Sequence, residues 1–179
     1  MKTVNFEVKS LLAIYNLIPQ VADSIDKLVI TRACCSAVQG IYDGVSKQTE
    51  AIINLTTQKV NLINLKILID ETLVEMPKRH SQIVIARCID KIDINFLAKT
   101  LGFSVRETFR KIRTALIEFK RVFLQKILKN KNVWENIIQN FFWIDVFEKI
   151  NRFEENGNKV EVCPEFVCNM ILKKLRKIV

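Results

Sequence analysis

The sequence predicts an all-α protein, in which a trihelical helix-turn-helix module is flanked by long helices on its N-terminal side and by a helical extension on its C-terminal side. Three observations carry that expectation. Helix breakers are scarce, with four Gly and three Pro among 179 residues. Apolar residues recur at three- and four-residue steps, and regular strand-like alternation is rare. The prolines and glycines fall where one periodic run gives way to the next. With 49% apolar residues, the chain can bury a sizeable core and is no disordered segment.

Residues 5–40 read as two helices. Ile18-Pro19 separates them, because proline suits a first helical turn and disrupts an interior. From Val21 to Val38, helical spacing is kept by Val21, Ile25, Leu28, Val29 and Ala33. Gly40 and Asp43-Gly44 then supply turn chemistry. A long helix is expected from about Ser46 to Met76, stopped by Pro77. It carries one apolar row of Ile52, Leu55, Leu62, Ile69, Leu73 and Met76. A second row is Ile53, Val60, Ile63, Ile67 and Val74. Two adjacent rows make a wide face, so this helix should pack against more than one neighbour. Lys59 and Lys66 fall in the first row and argue against a narrow coiled-coil seam.

Residues 1–76 thus form an N-terminal helical region suited to packing or oligomerisation, and 77–125 form a second unit. Pro77 opens a helix that Ile83, Val84, Ala86, Arg87 and Ile89 continue to about Asp90. Asp93 is a good N-cap for a helix from Ile94 to Leu101. Gly102 follows, where a tight turn calls for positive φ. Ser104 is a good N-cap for a third helix, the reading helix, at about 104–118. Two short helices joined by a Gly-containing turn are a helix-turn-helix signature. Ala98 lets the two backbones approach. Leu97, Leu101, Val105, Thr108, Ile112 and Leu116 supply the shared core.

In the extension, 126–179, a helix from about Lys131 to Ile150 carries Trp134, Ile137, Ile138, Phe141, Phe142, Ile144 and Phe147 for packing. Glu154 to Asn158 is a turn, followed by a short extended piece, Lys159 to Cys163. Pro164 opens a last helix with Phe166, Val167, Met170, Ile171 and Leu175 inside, and Lys173, Lys174, Arg176 and Lys177 near its C-terminus.

The formal charge is +9, which favours polyanionic partners. Its location says more than its sum. Between Lys78 and Val122 eleven basic residues meet four acidic ones, a net +7 in a quarter of the chain. The N-terminus MKTVNFEVKS lacks the apolar stretch of a secretory signal. No run reaches the roughly 18 apolar residues of a membrane span. A cytoplasmic protein without membrane association is expected. Cys34, Cys35, Cys88, Cys163 and Cys168 form no CxxC and read as reduced, mostly buried thiols. No metal site, cofactor or catalytic constellation is expected. His80 is the only histidine, and no Walker loop, GxSxG or zinc motif occurs.

The core pattern leaves Arg106, Glu107, Arg110, Lys111, Arg113 and Thr114 facing outward. A major groove admits an α-helix, and arginine pairs bidentately with guanine. N-terminal turns reach base edges, so Arg106, Glu107 and Arg110 are the candidate base readers. Lys111, Arg113 and Thr114, with Ser104 at the cap and Lys78 and Arg79 on the preceding helix, are candidates for phosphate. His80 fits a phosphate contact or a plain surface position. The expected function is sequence-specific binding of double-stranded DNA by a transcriptional regulator. The alternative is a helical interaction module that binds polymerase or a sigma factor without reading bases.

The pieces MPKRHSQIVIARCID (76–90) and DINFLAKTLGFSVRETFRKIRTALIEFKR (93–121) resemble the region 4 helix-turn-helix of bacterial sigma-70-type factors. The matching features are Pro77 and Arg79, Leu97-Ala98, Leu101-Gly102, Ser104, and Ala115-Leu116. LuxR-type helix-turn-helix proteins share much of this pattern. The resemblance covers roughly 45–50 residues. It implies DNA recognition, with promoter −35 elements as target and RNA polymerase as partner. The chain departs from compact sigma factors by continuing more than fifty residues past the module and by lacking a clear region 2 pattern in 1–76. Its architecture looks more like small phage and prophage transcriptional regulators of low-GC Gram-positive bacteria. Dimers reading two half-sites are common in this class, which makes a homodimer a further expectation.

Overall fold

The computed structural model describes Val8, residues 11–39 and residues 42–132, and all regular structure among them is helical. A helical stretch over 11–15 turns at Asn16-Leu17 into α1, Ile18–Gln39. Helix α2 is Tyr42–Glu75, and α3 is Lys78–Val84, prolonged by one π turn over Ile85–Ile89. Helix α4 is Ile94–Leu101 and α5 is Val105–Lys129. The expectations for 133–179 lie outside the described residues.

Pro19 stands in the first turn of α1, where its missing N–H leaves no helical bond unmade. The next boundary is tighter than the sequence suggests. Asp43 and Gly44 lie inside α2, which begins at Tyr42, and not in a turn. First-turn N–H groups have no partner within a helix, so turn-forming residues are tolerated there.

Helices α1 and α2 pack side by side. Their cross-links show that they run antiparallel. Lys59 Nζ donates to both carboxylate oxygens of Asp26 at 2.7 Å. Two turns further along α2, toward the open end, Lys66 Nζ donates to Asp70 at 3.0 Å and to the Tyr15 hydroxyl at 3.1 Å, and that hydroxyl donates to Asp70 at 2.5 Å. The two lysines in the first apolar row therefore end on acids at the edge of the core, their stems lying along apolar surface. Burial, and then the bond to Asp70, holds the Tyr15 phenol above its ordinary range; the bond to Tyr15 raises Lys66.

The first apolar row is buried as expected except for Ile52, which is half-buried, with Leu55, Leu62 and Ile69 inside beside Ile18, Val21 and Ile25 of α1. Each such side chain contributes about 1.5–3 kcal/mol relative to its exposed state. The second row is a correction. Helix α2 does pack against several neighbours, namely α1, α3 and α5. Its second buried row, however, is Leu65, Leu68 and Thr72 with Gln58 and Asn61. Ile53, Val60, Ile63, Ile67 and Val74 are exposed, Ile53 at 58% and Val74 at 83%. The burial of Thr72 is tolerable because its hydroxyl donates to the Leu68 carbonyl at 2.6 Å.

Helix α5 packs against α2, α3 and α4. It buries Thr108, Ile112, Ala115, Leu116, Phe119, Val122 and Phe123, and the rings of Phe119 and Phe123 stack at 5.6 Å. Val105, expected in this core, is 39% exposed. It is the first residue of the helix, and Thr108, one turn on, closes the core at that end. The helix also runs past 118 to Lys129 without a break. Lys126 lies in the added length. Its ammonium bonds Glu75 at 2.7 Å and Glu71 at 3.1 Å, fastening α5 to α2.

The cysteine expectation holds in one part only. Cys88 is half-buried, but Cys34 is exposed. No helix among the described residues is long and apolar enough to cross a membrane. No cluster of three or more His, Cys, Asp or Glu suited to a metal occurs among them.

Candidate nucleic-acid interface

The helices around residues 77–104 are bounded by local chemistry. Pro77 has φ −53° and ψ 128°, extended backbone from which α3 starts. The sequence suggests a regular helix to about Asp90. Instead its last turn widens, and the N–H of Asp90 bonds the carbonyl of Ile85, five residues back, at 2.8 Å. Lys91 takes φ 54°, and Arg87 donates to the Ile92 carbonyl at 2.9 Å, bracing the turn. Asn16 reaches the Ile89 carbonyl at 2.7 Å and ties this turn to the start of the bundle.

Asp93 caps α4. Its carboxylate accepts from the N–H groups of Asn95 at 2.7 Å and Phe96 at 3.3 Å, and these bonds hold the acid below its usual range. At the other end Gly102 has φ +70°. The Phe103 N–H bonds the Ala98 carbonyl at 3.0 Å and the Gly102 N–H bonds the Lys99 carbonyl at 3.2 Å, a Schellman closure. A Cβ on Gly102 would meet nothing within 4 Å, so backbone conformation, not space, selects glycine. Ser104 Oγ then accepts from the Glu107 N–H at 3.2 Å and starts α5. Ala98 and Leu97 are buried, and Leu101 half-buried, where α4 meets α5.

Every side chain expected to face a ligand is exposed: Lys78, Arg79, Ser104, Arg106, Glu107, Arg110, Lys111, Arg113 and Thr114. Arg106, Arg110 and Arg113 follow one another at four- and three-residue steps along the face of α5 away from the core. Glu107 lies in the first turn, where negative charge also suits the helix dipole. Thr114 Oγ1 donates to the Arg110 carbonyl at 3.1 Å. His80 is half-buried, with its Nδ1 enclosed and without a hydrogen-bond partner among the described residues.

The charges along α5 divide into two sets. Toward the C-terminal half, Arg121 pairs with Glu118 at 2.6 Å and Lys126 with Glu71 and Glu75. Arg121 draws Glu118 below the usual carboxylate range, and Lys126 does the same to Glu75. In the N-terminal half, Arg106, Arg110, Lys111 and Arg113 have no ion-pair partner among the described residues. Lys111 instead lies over the Phe103 ring, 5.5 Å from its centroid.

Sequence reasoning did not single out three exposed aromatics here. Phe96, Phe103 and Phe109 stand open beside the cations, Phe109 at 55%. Their signal was present in the register: Phe109 falls outside the three- and four-step series of Thr108, Ile112, Ala115 and Phe119 that makes the core. Compared with family models, curated proteins and solved structures, the chain matches none.

Proposed function

We propose that the protein is a sequence-specific, double-stranded DNA-binding transcriptional regulator. Helix α4, the Gly102 turn and α5 act as a helix-turn-helix, and the N-terminal half of α5 enters the major groove. The observation that carries this reading is the division of charge on α5. Four exposed cations at one end have no acidic partner among the described residues, while arginine and lysine further along the same helix are engaged within the fold. Unneutralised cations grouped on one helix end repel one another and are stabilised by a polyanion.

The roles follow from position. Arg106 and Arg110 read base edges, with Glu107 beside them to accept from a cytosine amino group. Lys111, Arg113, Thr114, Lys78 and Arg79 lie against phosphates. Ser104 keeps its own O–H free to donate to a phosphate, because its capping bond uses the oxygen only as acceptor. The resemblance to sigma-70 region 4 agrees with this reading and adds RNA polymerase as a partner. A second reading rests on a different observation: Ile117, Leu124 and Leu128 are exposed on the distal half of α5 and would suit a protein partner.

Selection from a random duplex pool, followed by affinity measurements over a range of salt, separates the two. A recovered motif with log K falling linearly against log salt, by about 0.9 per phosphate contact, is expected. Arg110→Ala should weaken binding to the recovered site by about 1–3 kcal/mol and relax its sequence preference. Lys78→Ala should weaken cognate and scrambled duplexes alike and reduce the salt slope by about one. Equal losses on both duplexes for Arg110→Ala would remove its base-reading role. No binding at low salt would leave the protein-interaction reading in its place.

A further inference from the structure

The apolar row that the fold leaves open has a regular geometry of its own. Ile53, Val60, Ile67 and Val74 recur at strict seven-residue spacing along α2, and Ile63 lies between the middle two; all five are exposed. The row extends over about 32 Å of helix. All five residues are β-branched, so their side chains are stiff and lose little rotamer freedom on packing. A face of this length on a monomer is unusual, since large exposed apolar patches mark contact sites.

The row also contains a receptacle. Ile53, Thr56, Thr57 and Val60, with Ile52 at the edge, line a shallow groove on α2. These are positions i, i+3, i+4 and i+7, the four residues that form the hole for a knob from a facing helix. Knobs and hole thus occupy the same face of one helix. A surface that carries both halves of a complementary pair is the condition for an isologous two-fold contact.

We propose that this face of α2 binds the same face of a second copy of the chain, forming an antiparallel two-helix seam. The antiparallel choice follows from Asp70. That carboxylate lies at the edge of the row, 42% exposed and bonded to Tyr15 and Lys66 on its own chain. In a parallel, in-register pair, two Asp70 side chains meet and repel. With a two-fold axis between Ile63 and Asn64, Ile53 faces Val74 of the other copy, Val60 faces Ile67, and Asp70 faces Thr57. Ile53, Val60, Ile67 and Val74 then each meet an apolar partner, Ile63 lies next to the axis beside Asn64 of the other copy, and each Asp70 carboxylate meets a hydroxyl. This proposal stands independently of DNA binding.

Sedimentation equilibrium on the full chain, together with lysine cross-linking and mass spectrometry, tests it. The wild type should be a concentration-dependent dimer. Ile67→Lys should raise the dimer dissociation constant by about a hundredfold or more, because a lysine from each copy then enters an apolar seam. Val60→Lys should do the same, and circular dichroism should show both variants as helical as the wild type. Lys47 near the start of α2 and Lys78 just past its end are exposed, and about 42 Å of helix separates them within one chain. A short linker joining them must therefore bridge two copies, and that cross-link is expected only for antiparallel pairing. A wild type that stays monomeric, a dimer indifferent to both substitutions, or Lys47 joined to Lys47 without any Lys47–Lys78 product would overturn the proposal.

Discussion

Replacing Gly102 by alanine isolates a backbone term from a packing term. An L-residue in the left-handed region costs roughly 1–2 kcal/mol. Steric repulsion adds nothing, because the new methyl meets no atom within 4 Å. Removing glycine restricts the unfolded chain and returns about 0.4–1 kcal/mol. The net expectation is a loss of about 1 kcal/mol, or a midpoint lowered by roughly 2–4 °C for a chain of this size. Gly102→Asn should lose less than half of that, since asparagine visits positive φ far more readily. Gly102→Val should lose the most, since a β-branched residue is least at home there. Thermal and urea denaturation followed by circular dichroism would rank the three. A stability for the alanine variant equal to that of wild type, or equal losses for alanine, asparagine and valine, would show that φ +70° is not what selects glycine. If the turn sets the angle between α4 and α5, the same ranking should appear in DNA affinity.

Two further expectations concern charges and caps. Lys126→Met keeps the apolar stem and removes the charge. It should cost about 1 kcal/mol, the upper end for pairs whose partners remain half-exposed, and the loss should shrink in high salt; an unchanged urea midpoint would mean that the link between α5 and α2 contributes nothing. Asp93, Glu75 and Glu118 all have folded-state values below their ordinary range. The stability they contribute is present above the unfolded carboxylate range, about pH 4–4.5, and is lost as pH falls through the lower folded values. Asp93→Ala should therefore flatten the acid limb of a stability–pH profile, and a profile identical to wild type would refute the capping account.

What was legible in the sequence was what neighbouring residues decide among themselves. Asp93, Gly102 and Ser104 bound their helices because a carboxylate, a missing Cβ and a hydroxyl act on backbone groups two or three residues away. The face of a long helix is a different problem. Ile53, Val60 and Ile67 are as apolar as Leu55, Leu62 and Ile69, and periodicity alone cannot tell which row a neighbour will cover. The positions of the neighbouring helices decide it, and one link that joins α5 to α2 runs from Lys126, a charged residue on an apolar face whose partners lie 51 and 55 positions away. The π turn over Ile85–Ile89 was hidden for the same reason, since the bond from Asn16 that meets its last carbonyl spans 73 positions.

The length of α5 connects these observations. A reading helix that ended near residue 118 would stop before Phe119, Val122 and Phe123, and its free cations would project from a short, weakly held rod. Continued to Lys129, the helix carries a stacked aromatic pair and a doubly bonded lysine on the core side. That anchoring matters for the four cations at the other end, because mutual repulsion among Arg106, Arg110, Lys111 and Arg113 works against the first turns of the helix. Burial of Phe119 alone contributes about 1.5–3 kcal/mol, more than surface charges in water cost one another. The distal half thus holds in place a charge arrangement that the proximal half alone would disfavour, and a ligand that neutralises it gains from side chains already in position.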